Sequence, residues 1–356
     1  MKHYPLTKRI VIKVGTSVLA PQGKIDSRLV SNIVKEIVDL DRKNVKSVLV
    51  SSGAIVSGMS LLGYKKKPSD IKLLQAYASL GQVVLMNVYA YRFKRHRKLC
   101  AQVLLTWDDF NDRVRYLNAR HTIERLLNLG IVPIINENDA VSTEEIKFGD
   151  NDTLSALVSD LIRAELLLIL SDVEGLFCGK EVVKTVENID DQIMKLVKKR
   201  ISPLTAGGMG SKLKAAKIAT QAGIRVIIAN GRTPKVISKA VKGESIGTLF
   251  LPKREIERAK RRWIAFGKKI KGKLYVDEGA KEAILYRGKS LLSCGIVKVE
   301  GEFSKKDAVE VLDSQGKVLG CGLVEYNSTE LMQAKGKRLD REVIHRDNFV
   351  KRGVNW

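Results

Sequence analysis

Three short acceptors, Asp150, Asn151 and Asp152, stand in a row behind Gly149 and lead into the helix-like run Thr153-Leu154-Ser155-Ala156. One such residue is enough to cap a helix, and a cap satisfies only one or two of the free N–H groups there. The surplus suits a cation: a substrate ammonium, a metal, or a lysine held for catalysis. Two lysines have a fitting context. Lys13 closes an apolar run and precedes Gly15-Thr16-Ser17. Lys212 follows the glycine-rich stretch Thr205-Ala206-Gly207-Gly208-Met209-Gly210-Ser211. Glycine lets backbone N–H groups approach a phosphate closely, and a lysine adds a point charge. The stretch before Lys212 is not a Walker A loop, because its order is Gly-Ser-Lys and no strand delivers it.

Three further polar clusters follow apolar runs: Ser51-Ser52-Gly53-Ala54, Asn136-Glu137-Asn138-Asp139 and Ser171-Asp172-Val173-Glu174-Gly175. A helix start after a glycine turn favours anions. Polar side chains at a strand end suit an amine or amide, and Ser171-Asp172 suits a nucleotide. Taken alone, Ser51 to Ala54 reads first as a strand-to-helix turn, Ser171-Asp172 reads equally as an ordinary turn, and Asn136 to Asp139 has the alternative of a capped loop. Together they supply what phosphoryl transfer needs, which is charge neutralisation and positioning more than covalent chemistry. Two lysines on opposite sides of a sheet edge would provide the charge, with Asp152 as a candidate to orient them. A carboxylate acceptor, with a reference pKa near ~4, is already ionised at neutral pH and needs no general base. His3, His96, His121 and His345 have no recognisable partners in sequence and read as structural or exposed.

The elements that must position these groups alternate. Strands are expected over 9–14, 45–50, 100–105, 131–135, 166–170 and 226–228. Helices are expected over 26–40 behind an Asp cap, 70–93, 116–129, 151–163 and 209–222. Residues 144–148 read as one arm of a hairpin. This is an α/β pattern, a mostly parallel sheet sandwiched by helices, with ligands expected beyond the carboxyl ends of the strands. After Leu251 the pattern changes. Residues 253–271 form a basic, helix-like linker, and 272–356 a small, mostly β domain of short alternating segments. The larger domain is then 1–252.

The chain has 356 residues and 44% apolar composition, which excludes a disordered protein. It shows no membrane-length apolar run and no signal peptide. Cys100, Cys178, Cys294 and Cys321 lack metal or redox spacing, so reduced thiols in the cytoplasm are expected. The formal charge of +24 fits anionic partners such as ATP, acidic substrates or nucleic acid, or simply a solvated basic surface. Part of the excess lies in local runs, among them 65–67 and 253–273.

Two segments carry a family resemblance: Ile135-Asn136-Glu137-Asn138-Asp139-Ala140-Val141 and Gly149-Asp150-Asn151-Asp152-Thr153-Leu154-Ser155-Ala156. With the two glycine turns and the Gly-Lys loop, they make the chain resemble the glutamate 5-kinases of the amino acid kinase superfamily over nearly its whole length. The C-terminal part resembles a PUA domain through Val276-Asp277-Glu278-Gly279-Ala280, Val299-Glu300-Gly301-Glu302-Phe303 and Ile344-His345-Arg346-Asp347-Asn348.

The resemblance implies ATP-dependent phosphorylation of the L-glutamate γ-carboxylate, the first step of proline synthesis. It implies that Lys13 and Lys212 stabilise the transferring phosphoryl and that Asp152 orients both. Gly15, Ser52 and Gly53 would line the phosphoryl and glutamate sites, and Asp139, Asp150 and Asn151 would bind glutamate. Ser171, Asp172 and the loop Gly207, Gly208, Met209, Gly210 and Ser211 would contact the nucleotide. Mg²⁺ would ride on the phosphates with few protein ligands.

A homo-oligomer (dimer or tetramer), inhibition by proline and a γ-glutamyl phosphate reductase partner also follow from the resemblance. Two departures bear on the nucleotide. Ala206 replaces a threonine, and the segment after Phe177 is short. Alternatives are a kinase of acetylglutamate, aspartate, carbamate or UMP, or an RNA-binding protein acting through the PUA domain.

Overall fold

The computed structural model describes residues 7–64, 66–141, 151–198, 208–253, 270–334, 337 and 339–351. The chain divides into two compact units, residues 1–256 and 257–356. In the first, continuous apolar runs form strands covered on both faces. They alternate with helices in the order β1 (Arg9–Val14), α1 (Thr16–Leu19), α2 (Ser27–Asp41), β2 (Lys46–Ser51), α3 (Ala54–Leu61), α4 (Ile71–Lys94), β3 (Cys100–Leu105), α5 (Trp107–Asn111), α6 (Arg113–Asn128) and β4 (Val132–Glu137). Then come α7 (Asn151–Leu161), β5 (Leu166–Ser171), the short hairpin β6 (Phe177–Cys178) and β7 (Glu181–Val182), β8 (Thr185–Val186), α8 (Asp191–Lys198), α9 (Met209–Gln221), β9 (Arg225–Asn230), α10 (Val236–Lys242) and β10 (Thr248–Phe250).

Eight of these strands make one sheet in the order β3-β4-β2-β1-β5-β9-β10-β8. Only the β9–β10 pairing is antiparallel. The carboxyl ends of β1, β2, β4 and β5 therefore open onto one side. Alternation along β1 sets the two faces. Ile10, Ile12 and Val14 join a core with Ile33 and Ile37 of α2, Leu85 and Tyr89 of α4 and Ile237 of α10. Lys13 points to the other face, which α7 covers, and α9 packs on α7. Lys13 thus stands on an interior strand.

Local chemistry places the helices. Asp26 caps α2 by accepting from the N–H groups of Arg28 and Leu29, Asp70 caps α4 and Asp112 caps α6. Gly53 starts α3 with φ of 110°, in the left-handed region that favours glycine. Helices α3 and α4 cross backbone to backbone. A Cβ at Gly81 would lie 1.8 Å from the Ala54 carbonyl oxygen, and one at Gly58 would lie 2.0 Å from that of Tyr77.

The second unit holds a five-stranded sheet, in the order β12 (Ile296–Gly301), β11 (Ile270–Val276), β13 (Ala308–Leu312), β14 (Val318–Leu323) and β15 (Phe349–Lys351). Helices α11 (Glu278–Leu285) and α12 (Ser328–Gln333) are capped by Asp277 and by the Asn327–Glu330 pair. Its core gathers Leu274, Val276, Ile284, Val311, Leu319 and Phe349.

The expected strands and helices are all present, with ends shifted by up to three residues. Not anticipated were α1, α3, α5, α8, α10, the inner strand β10 and the edge strand β8. The short segment after Phe177 is a tight hairpin. The first strand of the second unit begins at Ile270, inside the stretch read as linker. The expected hairpin arm 144–148 and the basic stretch 254–269 lie outside the described residues. Among the described residues, no helix is long and apolar enough to cross a membrane.

Candidate active site

Asp152 is the second residue of α7 and is 1% exposed. Its Oδ1 lies 2.5 Å from Lys13 Nζ, and its Oδ2 lies 3.2 Å from Lys212 Nζ. The Ser211 hydroxyl donates to Oδ2 at 2.6 Å. One carboxylate thus anchors two lysines from a strand and from the first turn of α9. Burial alone pushes the Asp152 carboxyl up, but the lysine charges and the hydrogen bonds from Lys13 and Ser211 overcome this and hold it below its ordinary value. Burial also lowers the Lys212 pKa, with Asp152 opposing and Lys13 reinforcing the shift. Gly15 gives Lys13 room, since a Cβ there would come within 3.2 Å of Nζ.

The residue before Asp152 serves a second network. Asn151 donates from Nδ2 to the Ser52 hydroxyl at 2.8 Å and to Asn136 Oδ1 at 2.9 Å. Asn136 in turn donates to Gln82 Oε1 at 2.9 Å. The Asn151 Oδ1 is buried and has no hydrogen-bond partner. A buried acceptor left unpaired costs stability, which is a reason to expect a donor from a ligand. Asn151 also lines a cavity of about 760 Å³ whose wall includes Thr16, Ser52, Gly53, Asn136 and Asp139. Burial, and then the neighbouring Glu137 charge, raise the Asp139 carboxyl to about 7, with Lys67 opposing. Glu137 is 2% exposed, and neither of its oxygens has a hydrogen-bond partner.

The nucleotide candidates sit beside the lysine pair. Gly208 occupies the N-cap of α9 without a side-chain cap bond, and the start of a 13-residue helix suits an anionic acceptor. Met209, Gly210 and Ser211 form its first turn. Ser171, buried at the end of β5, donates to Asp172 Oδ1 at 3.2 Å. The exposed Asp172 contributes to the field on Lys212.

The structure therefore gathers Lys13, Asp152, Ser211 and Lys212 in one cluster, and Ser52, Gly53, Asp139 and Asn151 on one cavity. Asp150 and Gly207 lie outside the described residues. Sequence reasoning did not single out Gln82, Asn136 or Glu137 as individual site residues. Gln82 had a readable signal: it falls on the buried stripe of α4 between Ala78 and Leu85, where a polar side chain requires a partner.

Comparison with known proteins identifies the family. The family model described as amino acid kinase family matches residues 8–230, and that of the PUA domain matches residues 272–345. Curated relatives named glutamate 5-kinase align over almost the entire chain. The one from Caldanaerobacter subterraneus subsp. tengcongensis is 43% identical, over 96% of this chain and 97% of its own. That of Methylococcus capsulatus is 42% identical, over 97% and 98%. That of Dehalococcoides mccartyi is 40% identical, over 96% and 98%.

Proposed function

The chain belongs to the amino acid kinase family, and from that footing we propose that it is a glutamate 5-kinase. It would move the γ-phosphoryl group of ATP onto the γ-carboxylate of L-glutamate, giving L-glutamyl 5-phosphate and ADP. The observation that carries this reading is the buried Lys13–Asp152–Lys212 cluster, one residue along α7 from the free Asn151 acceptor on the cavity.

The chemistry follows from the arrangement. The γ-carboxylate, ionised at neutral pH, attacks the γ-phosphorus in line, and the bond to the ADP oxygen breaks. Negative charge spreads over the equatorial oxygens. Lys13 and Lys212 neutralise it, held apart and aimed by Asp152, so little reorganisation is left to the moment of reaction. The α9 N-terminus, with Gly208, Met209 and Gly210, receives phosphate oxygens, while Ser171 and Asp172 contact the nucleotide. When bound with ATP, Mg²⁺ would share in neutralising the phosphate charge. With Asp152 engaged by both lysines, it would be held mainly by phosphate and water. Asp139 and the Asn151 Oδ1 accept from the glutamate ammonium.

On this reading proline competes at the glutamate cavity, and the chain forms a dimer or tetramer. A γ-glutamyl phosphate reductase consumes the labile product, and the PUA domain is the place for RNA or for regulation. The test is ADP release from Mg-ATP with hydroxylamine present. Glutamate-dependent γ-glutamyl hydroxamate, suppressed by proline, is expected. Turnover only with acetylglutamate, aspartate or UMP would keep the family and discard the substrate.

The raised Asp139 pKa adds a pH prediction. Ammonium binding requires the ionised form, so kcat/KM for glutamate should rise through about pH 7. Asp139→Asn should remove that limb and raise KM. The stability sign is opposite. Below the ordinary value of 3.8 the carboxyl is protonated in both states and carries no penalty. As pH rises from there through about 7, the folded state must accept a charge it resists, so stability falls. Asp139→Asn is therefore expected to leave stability at pH 8 equal or higher, as read by urea titration. A loss of stability on that substitution would contradict the assignment.

A further inference from the structure

An α-amino acid carries two opposite charges at one end, and the groups assigned so far answer only one. Asp139 and the Asn151 Oδ1 are acceptors and suit the ammonium. The Asn151 amide nitrogen is already committed to Ser52 and Asn136. A positive charge for the α-carboxylate is available elsewhere on the wall, which carries Lys24 and Lys67. Lys67 lines the same cavity as Asp139, from the segment between α3 and α4. It is exposed, and a lysine stem can lie along a wall while its head remains in water. Burial and Glu137 push the Asp139 carboxyl up, and Lys67 is the charge that opposes them, which places the two groups within one another's field. It belongs to the 65–67 lysine run, which no other part of the site employs.

We propose that Lys67 receives the α-carboxylate of the substrate, so that Asp139 and Lys67 together read the zwitterionic end of a free α-amino acid. The proposal rests on the glutamate reading above and adds selectivity to it. A substrate whose α-carboxylate is amidated would leave the lysine without its anion. One whose amine is acylated would leave Asp139 without its cation. Both are disfavoured, because a site built for a charged group penalises the analogue lacking it.

The experiment compares L-glutamate with its α-amide, isoglutamine, which keeps the γ-carboxylate free. Both are assayed with the full chain, as substrates or as competitive inhibitors. Lys67→Gln should raise KM for glutamate roughly tenfold, the scale of one charge-assisted hydrogen bond, with kcat within about twofold. KM for isoglutamine should stay in place, so the preference for glutamate shrinks by the same factor. Lys67→Arg should restore most of the preference. Lys66→Gln, which removes the same charge one residue away and outside the cavity wall, should retain it. An undiminished preference in Lys67→Gln overturns the proposal. So does an equal loss in Lys66→Gln, or in Lys24→Gln, which removes the other lysine of the wall. If the unmodified chain does not phosphorylate glutamate at all, the glutamate reading itself fails, and this assignment with it.

Discussion

Asp152→Asn is expected to lower kcat by about a thousandfold or more, equivalent to roughly 4 kcal/mol of transition-state stabilisation. The substitution keeps shape and removes one charge. What remains is two ammonium groups, Lys13 and Lys212, both largely buried and facing each other across a neutral amide. Breaking a buried ion pair from one side typically costs about 3–5 kcal/mol, because the orphaned charge cannot reach water. One lysine would respond by giving up its proton at a lower pH, and it would then have no charge to offer the phosphoryl group.

The pH dependence separates this account from simple misfolding. In the parent protein the depressed Asp152 pKa contributes stability that is present above the ordinary carboxylate value of 3.8. That contribution is lost as pH falls below it. The variant loses this acid-side contribution. It should instead gain stability on the alkaline side, where a lysine discharges. Mg-ATP should recover part of the deficit in Tm, since its phosphates return anions to the pair. A variant retaining kcat within tenfold would end the proposed role of Asp152.

The second large effect concerns a residue that touches no ligand. Gly81→Ala adds one methyl group, 1.8 Å from the Ala54 carbonyl oxygen and 2.4 Å from the Gly58 nitrogen. Backbone atoms cannot rotate out of the way, so the two helices must separate. Overpacking usually costs about 1–3 kcal/mol, and a clash between two backbones belongs at or beyond the upper end. Ala54 follows Ser52 and Gly53, so the strain is delivered to the cavity wall. Any protein that folds should show a raised KM for glutamate as Ser52 moves away from Asn151. Gly243→Ala is the comparison. Gly243 has a left-handed backbone, unlike the helical Gly81, but its Cβ would meet nothing within 4 Å, and a cost of about 1 kcal/mol is expected. Urea midpoints of the two variants, measured side by side, decide the matter. Similar losses would mean that the helix crossing yields.

How much was readable beforehand varied with the physical origin of each feature. Strands β1, β5 and β9 announce themselves as largely apolar runs because a central parallel strand is covered on both faces. Helices α2, α4 and α6 carry acidic caps and an apolar stripe. Helix α3 escaped notice because it is apolar with Gly58 in its middle, a composition that reads against a helix until the close approach of α4 explains it. Strands β8 and β10 are two and three residues long and exist only through their neighbours. Within the site, Lys13, Asp152 and Lys212 could be nominated from glycine turns and surplus acceptors. The chain of hydrogen bonds from Ser52 through Asn151 and Asn136 to Gln82 spans four separate segments, so no local pattern could reveal it. The isolation of Glu137 is likewise a property of packing, and with it the raised Asp139 pKa.

Asn151 and Asp152 are covalent neighbours on a helix that turns about 100° per residue. One faces the amino-acid cavity and the other the phosphoryl lysines, so the two substrate sites share a hinge-free partition. Filling either side steadies the partition that the other side needs. The expected kinetic signature is mutual: glutamate lowers the apparent dissociation constant of the nucleotide by the same factor by which the nucleotide lowers that of glutamate. It also constrains divergence. A descendant of this chain that changed its acceptor by altering Asn151 would disturb the anchor of its own catalytic lysines, so new specificities should accumulate on the outer wall, around Lys67 and Lys24, and leave the inner one unchanged.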